Sequence, residues 1–267
     1  MDLKVVSRII TLTTDFGLKD FYVAEMKAVI LKINFKSIIV DITHNIPRFN
    51  TKQAAWVLAS AAQYFPKGTI HVAVVDPGVG TTRRPIIIEG EKQYYIGPDN
   101  GIFSLITKIE EIKHIFEIKN KNLTLPQKLC TFDGRDIFAP TAAYLAKGVR
   151  IREFGPEIKD VYKISFPQAV QKENKISGEI LHIDHFGNIV TNISEEKIKQ
   201  FQTKNFELNL GATSLKVRLV RSYADGQQKE PIAIIGSHGF LEIAVNQFDA
   251  SKIFRTKIGD EIIISMV

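Results

Sequence analysis

At 267 residues the chain is long enough for one large domain or two modest ones, and it should bury roughly 70–75% of its unfolded surface. Apolar residues at 45% and charged residues at 24% suit a globular protein, and no stretch reaches the roughly 20 apolar residues that a membrane span needs. A net charge of +6 raises nucleic-acid binding, but lysines are interleaved with acids, as in Lys108–Lys113, and no basic run carries aromatics, so a solvated lysine-rich surface is expected instead. Cys130 is the only cysteine, which excludes an intramolecular disulfide. It has no evident paired base and reads as a small core residue. With no signal-peptide layout over Met1–Arg8, a cytoplasmic protein is expected.

Residues 9–13 read as a short buried strand. From Asp20 to Asn34, Val23, Met26, Ile30 and Ile33 recur at helical spacing, with Asp20 placed to cap the first turn. Ser37–Asp41 reads as a strand, and Ala54, Val57, Leu58, Ala61 and Phe65 mark one face of a second helix. Thr69–Val75 is a nearly continuous β-branched run, the pattern of a strand covered on both faces. Strands follow at Pro85–Ile88 and Gln93–Ile96, then a tight turn at Asp99–Gly101 that opens a helix, and a further helix over Asp136–Ala146 that ends at Gly148. The alternation predicts an α/β fold whose N-terminal domain, residues 1–170, is an open, sandwich-like (Rossmann-like) sheet with helices on both sides.

Beyond residue 170 the pattern changes. Gly178–Asp184, Ile189–Ile193, Phe206–Leu210, Ser214–Val220, Ile232–Ile235, Leu241–Val245 and Glu261–Ser265 are short alternating strands, with only Glu195–Phe201 helical between them. A small β-barrel or sandwich of about 90 residues fits, over 176–267. The polar stretch Pro167–Lys175 marks the boundary.

In an open α/β sheet, ligands bind at the carboxyl ends of the strands. The first three strands here end in Thr13-Thr14-Asp15-Phe16-Gly17, Asp41-Ile42-Thr43-His44 and Asp76-Pro77-Gly78-Val79-Gly80, so each delivers an Asp to one rim. A single Asp in such a place is most often a turn former, and Asp41 fits that description. Arg83 and Arg135 stand near enough in sequence to hold carboxylates. There is no glycine-rich phosphate cradle after the first strand and no P-loop or zinc-protease motif. His182, Asp184 and His185 do not make a metal site, since strand alternation points 185 away from 182 and 184. No metal and no cofactor are expected.

In order along the chain, these segments resemble the S-adenosylmethionine hydrolases (hydroxide adenosyltransferases), which share a fold with the bacterial fluorinase and chlorinase. The resemblance rests on Thr13–Gly17 with Asp20, Asp41–His44, Val75–Thr81, Thr131-Phe132-Asp133-Gly134-Arg135-Asp136, Ile183–Asn188 with Thr191–Ile193, and Gly236–Leu241. It implies an N-terminal α/β domain, a C-terminal β-barrel and a homotrimer, each site lying between one subunit's first domain and its neighbour's second. By the same resemblance Asp15 grips the ribose diol and Phe49 packs near the sugar. Asp20, Asp184 and Ser237 hold the methionine end, Asn188 reads the adenine edge, Phe186 and Tyr223 are apolar walls, and Phe132 is a further substrate-binding residue.

The implied reaction is attack of water on the ribose C5′ of S-adenosyl-L-methionine, giving adenosine and L-methionine. Sulfonium makes that carbon electrophilic and leaves as a neutral thioether, so the site has to orient and activate water, a task the resemblance gives to Asp76, Arg83 and the residue at 133. The hydrolases carry His in the Thr-Phe-His-Gly-Arg-Asp motif where this chain has Asp133, and the halogenases have Arg where this chain has His238. The halogenases also place a neutral tyrosine where this chain has Asp76, a carboxylate that would repel halide. The rival readings are a non-catalytic S-adenosylmethionine- or adenosine-binding protein and a chlorinase-like halide adenosyltransferase.

Overall fold

A computed structural model describes residues 9–126, 131–201, 203–211 and 213–266; Cys130, expected in the core, lies outside them. Two compact units meet in sequence between Ser165 and Phe166.

The first unit is built on a six-stranded sheet of order β2-β1-β3-β5-β4-β6. Its strands are β1 (Ile9–Thr14), β2 (Ile38–Thr43), β3 (Ile70–Val74), β4 (Pro85–Gly90), β5 (Tyr94–Pro98) and β6 (Ile112–Glu117). The pairs β2–β1, β1–β3 and β3–β5 are parallel, and β4 runs antiparallel to both β5 and β6. Helices α1 (Tyr22–Ile33) and α4 (Ala139–Ala146) serve one face of the sheet, where Met26, Ile30 and Ala142 pack with Ile10, Leu12, Ile70, Val72 and Val74. Helices α2 (Thr51–Ala62) and α3 (Ile106–Ile109) serve the other, where Ala54, Leu58 and Ile106 pack with Ala73, Val75, Ile86 and Ile88. Period-two alternation divides the β-branched residues between these two cores, which is why β3 is buried at every position.

Helix α1 starts two residues later than its apolar spacing suggests. Phe21 is the N-cap, with helical backbone angles and no side-chain cap, so Asp20 stands one residue too early to cap the turn. The expected helix at 136–146 has a wide π-type first turn, Gly134–Phe138, before α4 begins. The helix expected to open at the Asp99–Gly101 turn is the single turn α3, which starts at Ile106, and strand β6 had no counterpart in the sequence pattern.

The second unit is a closed seven-stranded barrel. Its strands are β8 (Lys175–Ile183), β9 (Ile189–Ser194), β10 (Asn205–Leu210), β11 (Thr213–Val220), β12 (Pro231–Ile235), β13 (Phe240–Val245) and β14 (Glu261–Met266). The order β14-β10-β11-β12-β13-β9-β8 closes through pairing of β14 with β8, and a short β7 (Val170–Lys172) adds to β8. Inward residues such as Ile176, Ile180, Phe206, Leu208, Leu241, Ile243, Ile262 and Ile264 form one core. Two short helices, α5 (Glu195–Lys199) and α6 (Ala250–Phe254), complete the unit.

Candidate active site

In the first unit, β1 connects through α1 to one neighbour and β2 connects through α2 to the other, so the strand order reverses between β1 and β3. Open α/β sheets bind ligands at the carboxyl ends of strands beside such a reversal. Thr14 pairs with Val74, which puts Asp15 and Asp76 just past the ends of adjacent strands.

After β3 the chain folds back through local bonds from Gly78 N to Asp76 Oδ1 at 3.2 Å and from Thr81 Oγ1 to the Gly78 carbonyl at 2.7 Å. This returns Arg83 to Asp76, where its Nε lies 3.1 Å from Oδ1 and 2.9 Å from Oδ2. Arg83 Nη2 donates to Asp76 Oδ2 and also to Asp133 Oδ2. The three side chains of Asp76, Arg83 and Asp133 are 5%, 11% and 8% exposed, so this is a buried ion triad rather than a surface pair. The Phe138 ring lies 5.6 Å from the guanidinium carbon. Burial works against the Arg83 charge, but Asp76 and then Asp133 outweigh it and hold the group above its ordinary value. One guanidinium thus holds two carboxyl groups in fixed orientation.

Asp15 accepts a hydrogen bond on Oδ2 from the Phe49 backbone N–H at 2.9 Å, and Phe49 is 67% exposed with φ +64°. Phe132 stacks edge-on against Phe16 and Tyr22 at 5.6 and 5.1 Å, forming an aromatic wall next in sequence to Asp133. Asp20 is exposed and makes no hydrogen bond or ion pair among the described residues. Asp41 stays inside β2, bound to Lys27 at 2.6 Å. Arg135 binds Asp136 and Glu25, not the triad.

In the second unit Asp184 organises its own loop. Oδ1 accepts from the N–H groups of Phe186 and Asn188 at 2.9 and 2.8 Å, and Oδ2 accepts from Asn188 Nδ2 at 2.8 Å. This leaves the Asn188 amide oxygen pointing away from that bond and Phe186 75% exposed. Tyr223 donates its hydroxyl to Glu242 Oε2 at 2.9 Å, and burial is the main reason its own proton is held more tightly than usual. Ser237 Oγ lies 3.2 Å from His238 Nδ1 in the Gly236–Gly239 turn. Asp184 and His238 both act electrostatically on Glu242, so these residues share one neighbourhood.

Sequence reasoning missed Glu242. Alternation puts it opposite Leu241 and Ile243, the solvent side of a simple barrel strand, yet it is 7% exposed because the 236–239 turn covers it. A Cβ on Gly236 would meet Glu242 Oε1 at 1.7 Å, so a larger residue there would displace the Glu242 carboxyl. The available signal was a lone charge in the apolar run Phe240–Val245.

Residues 10–155 match the SAM hydroxide adenosyltransferase N-terminal domain, and residues 178–263 match its C-terminal domain. The chain belongs to this family. The N-terminal match of the SAM hydroxide adenosyltransferases spans Asp15, Asp76, Arg83 and Asp133, and the C-terminal match spans Asp184, Asn188, Tyr223 and Ser237. An (R)-S-adenosyl-L-methionine hydrolase of Methanocaldococcus jannaschii is 37% identical, over 95% of this chain and 94% of its own length. A protein of the same description from Thermus thermophilus is 35% identical, over 92% and 95%. The crystal structure of a conserved protein from Thermotoga maritima covers 96% of this chain and 100% of its own, with a TM-score of 0.93 and 36% identity.

Proposed function

We propose that this chain hydrolyses S-adenosyl-L-methionine to adenosine and L-methionine. The observation that carries the reading is the buried Asp76–Arg83–Asp133 triad at the strand reversal, with Asp15, one residue past the end of β1, held by Phe49. Relatives named for that hydrolysis, similar over nearly their whole length, support it.

In the reaction a water oxygen bonds to C5′ while the C5′–S bond breaks and its electron pair returns to sulfur. The water proton passes to a carboxylate of the triad and then to solvent. The leaving group is neutral, so no acid is required on that side and no cofactor or metal takes part. Asp15 holds the ribose diol, with Phe49 and Phe132 beside the sugar. Asp20, Asp184 and Ser237 take the amino-acid end, and Asn188, Phe186 and Tyr223 take the adenine. Arg83 keeps two buried carboxylates tolerable side by side and fixes their direction, so that water is aimed rather than merely present.

The reading includes a homotrimer in the cytoplasm whose sites join one subunit's first unit to a neighbour's second. The family resemblance supports the trimer, and the single cysteine supports the compartment. Mixing an Arg83 variant with a Tyr223 variant, each inactive alone, restores part of the activity if sites are shared between subunits.

Incubation with the R and S sulfonium epimers separately, in ¹⁸O-labelled water, tests the chemistry. Adenosine and methionine should form in equal amounts, with the label in the 5′-hydroxyl. Absence of adenosine with both epimers defeats the hydrolase reading. Asp133, standing where the hydrolases carry His, favours a binding-only protein as the second reading; in that case ligand binds without turnover and Asp133→His creates activity. Halogenated adenosine formed on adding chloride or fluoride marks the halide transferase, which the Asp76 carboxylate disfavours.

A further inference from the structure

His44, at the carboxyl end of β2, is 3% exposed. Its Nδ1 lies 2.9 Å from Thr14 Oγ1, the residue before Asp15. Its Nε2 lies 3.1 Å from Asp41 Oδ1, close enough for strong attraction though not aligned as a hydrogen bond. Lys27 Nζ binds Asp41 Oδ2 at 2.6 Å from the far side. Burial pushes the Asp41 carboxyl up, but Lys27 and His44 together hold it below the usual range, so it faces the ring as a carboxylate.

The directions of these contacts follow from what each atom can do. The Phe16 N–H, 3.2 Å from Thr14 Oγ1, can only donate. Thr14 accepts it on one lone pair and keeps its own hydroxyl proton to donate to His44 Nδ1. The Asp41 carboxylate beside Nε2 favours the ring proton on that nitrogen, which leaves Nδ1 as the acceptor required. The backbone follows the same course. The His44 carbonyl accepts from Gly17 N at 2.8 Å, and the Thr14 carbonyl accepts from Ile46 N at 3.3 Å. Gly17 has φ +68°, a bend that glycine adopts without strain. One buried histidine thus grips the loop on both sides of Asp15, while Phe49 N holds the carboxylate itself.

We propose that His44 is a positioning residue that, through Thr14 and Gly17, sets the direction of the Asp15 carboxylate toward the ribose diol. This rests on the reading of Asp15 as the ribose grip. A loss of about an ångström in such placement is enough to cost up to about 100-fold.

Calorimetric titration with adenosine and with 2′,3′-dideoxyadenosine, which lacks the diol, provides the test. Wild type should prefer adenosine. Thr14→Val, which keeps the volume and removes the hydroxyl, and His44→Gln should weaken adenosine by about tenfold or more and leave dideoxyadenosine nearly unchanged. The preference then falls to that of Asp15→Ala, and adding either change to Asp15→Ala has no further effect. Thr14→Ser should keep the wild-type preference. If His44→Gln does not fold, Thr14→Val against Thr14→Ser decides. Equal weakening of both nucleosides, or an unchanged preference, overturns the proposal and reduces His44 to a packing residue. A wild type with no preference, unaltered by Asp15→Ala, overturns the ribose reading of Asp15 itself.

Discussion

The first unit buries Asp76 and Asp133 against the full charge of Arg83, whereas the second buries Glu242 against the neutral hydroxyl of Tyr223. Two buried groups, one in each unit, answer to pH in opposite ways. In the first, His71 is fully buried between Thr11 and Gln93, and burial pushes its pKa down to about 4. In the second, burial raises the Glu242 carboxyl, with the Tyr223 hydroxyl pulling the other way. A depressed histidine adds stability above its unfolded value of 6.5 that is lost as pH falls toward 4. A raised carboxyl works in reverse: its contribution is complete below the unfolded value of 4.5 and is lost as pH climbs through the folded one. Acid therefore costs stability at His71 and relieves Glu242, because one site excludes a cation and the other an anion.

The contrast breaks most sharply at Arg83. Arg83→Leu removes the guanidinium from two buried carboxyl groups, and urea unfolding should show a loss of about 3–5 kcal/mol, part of which returns when Asp133→Asn is added. Asp76→Asn keeps the shape but removes a proton acceptor, and product formation should fall by about 10²–10⁴-fold with binding of adenosine retained. Comparing it with Asp133→Asn identifies which carboxylate takes the proton: the larger fall in turnover marks the base. His71 accounts for roughly 3 kcal/mol of stability lost between pH 6.5 and pH 4, and His71→Asn should flatten that part of the profile. The smallest effect is in the barrel. Glu242→Gln should be more stable than wild type at pH 7, with the difference vanishing below pH 4.5; an advantage that persists in acid would show that charge is not its source.

Much of the fold was legible because burial on both faces leaves a simple mark, as in the β-branched run at Ile70–Val74. The rim was legible for a related reason: polar residues that interrupt such runs have few other uses than turns and ligands. What stayed hidden depended on contacts distant in sequence. Strand β6 carries Lys113, His114 and Glu117 because it is an edge strand, and its charges disguise it as a loop. Helix α6 is a single turn held by the Asp249 side chain, which accepts from Lys252 N at 3.0 Å, too short to show a period. The triad was expected as a set, but that Arg83 bridges both acids, and not Arg135, depends on a loop that folds back seven residues from Asp76. Asp41 sat in the rim pattern and turned out to belong to Lys27 and His44.

The barrel is completed by β14, which pairs with β10 on one side and β8 on the other, joining Ile264 to Ile176 across most of the second unit's sequence. So long a ring closure costs chain entropy that the β14 pairings have to repay. It also concentrates risk in six residues: should β14 fray, two neighbouring strands expose unpaired backbone at once, and what had been a cylinder without open sides becomes a template for self-association.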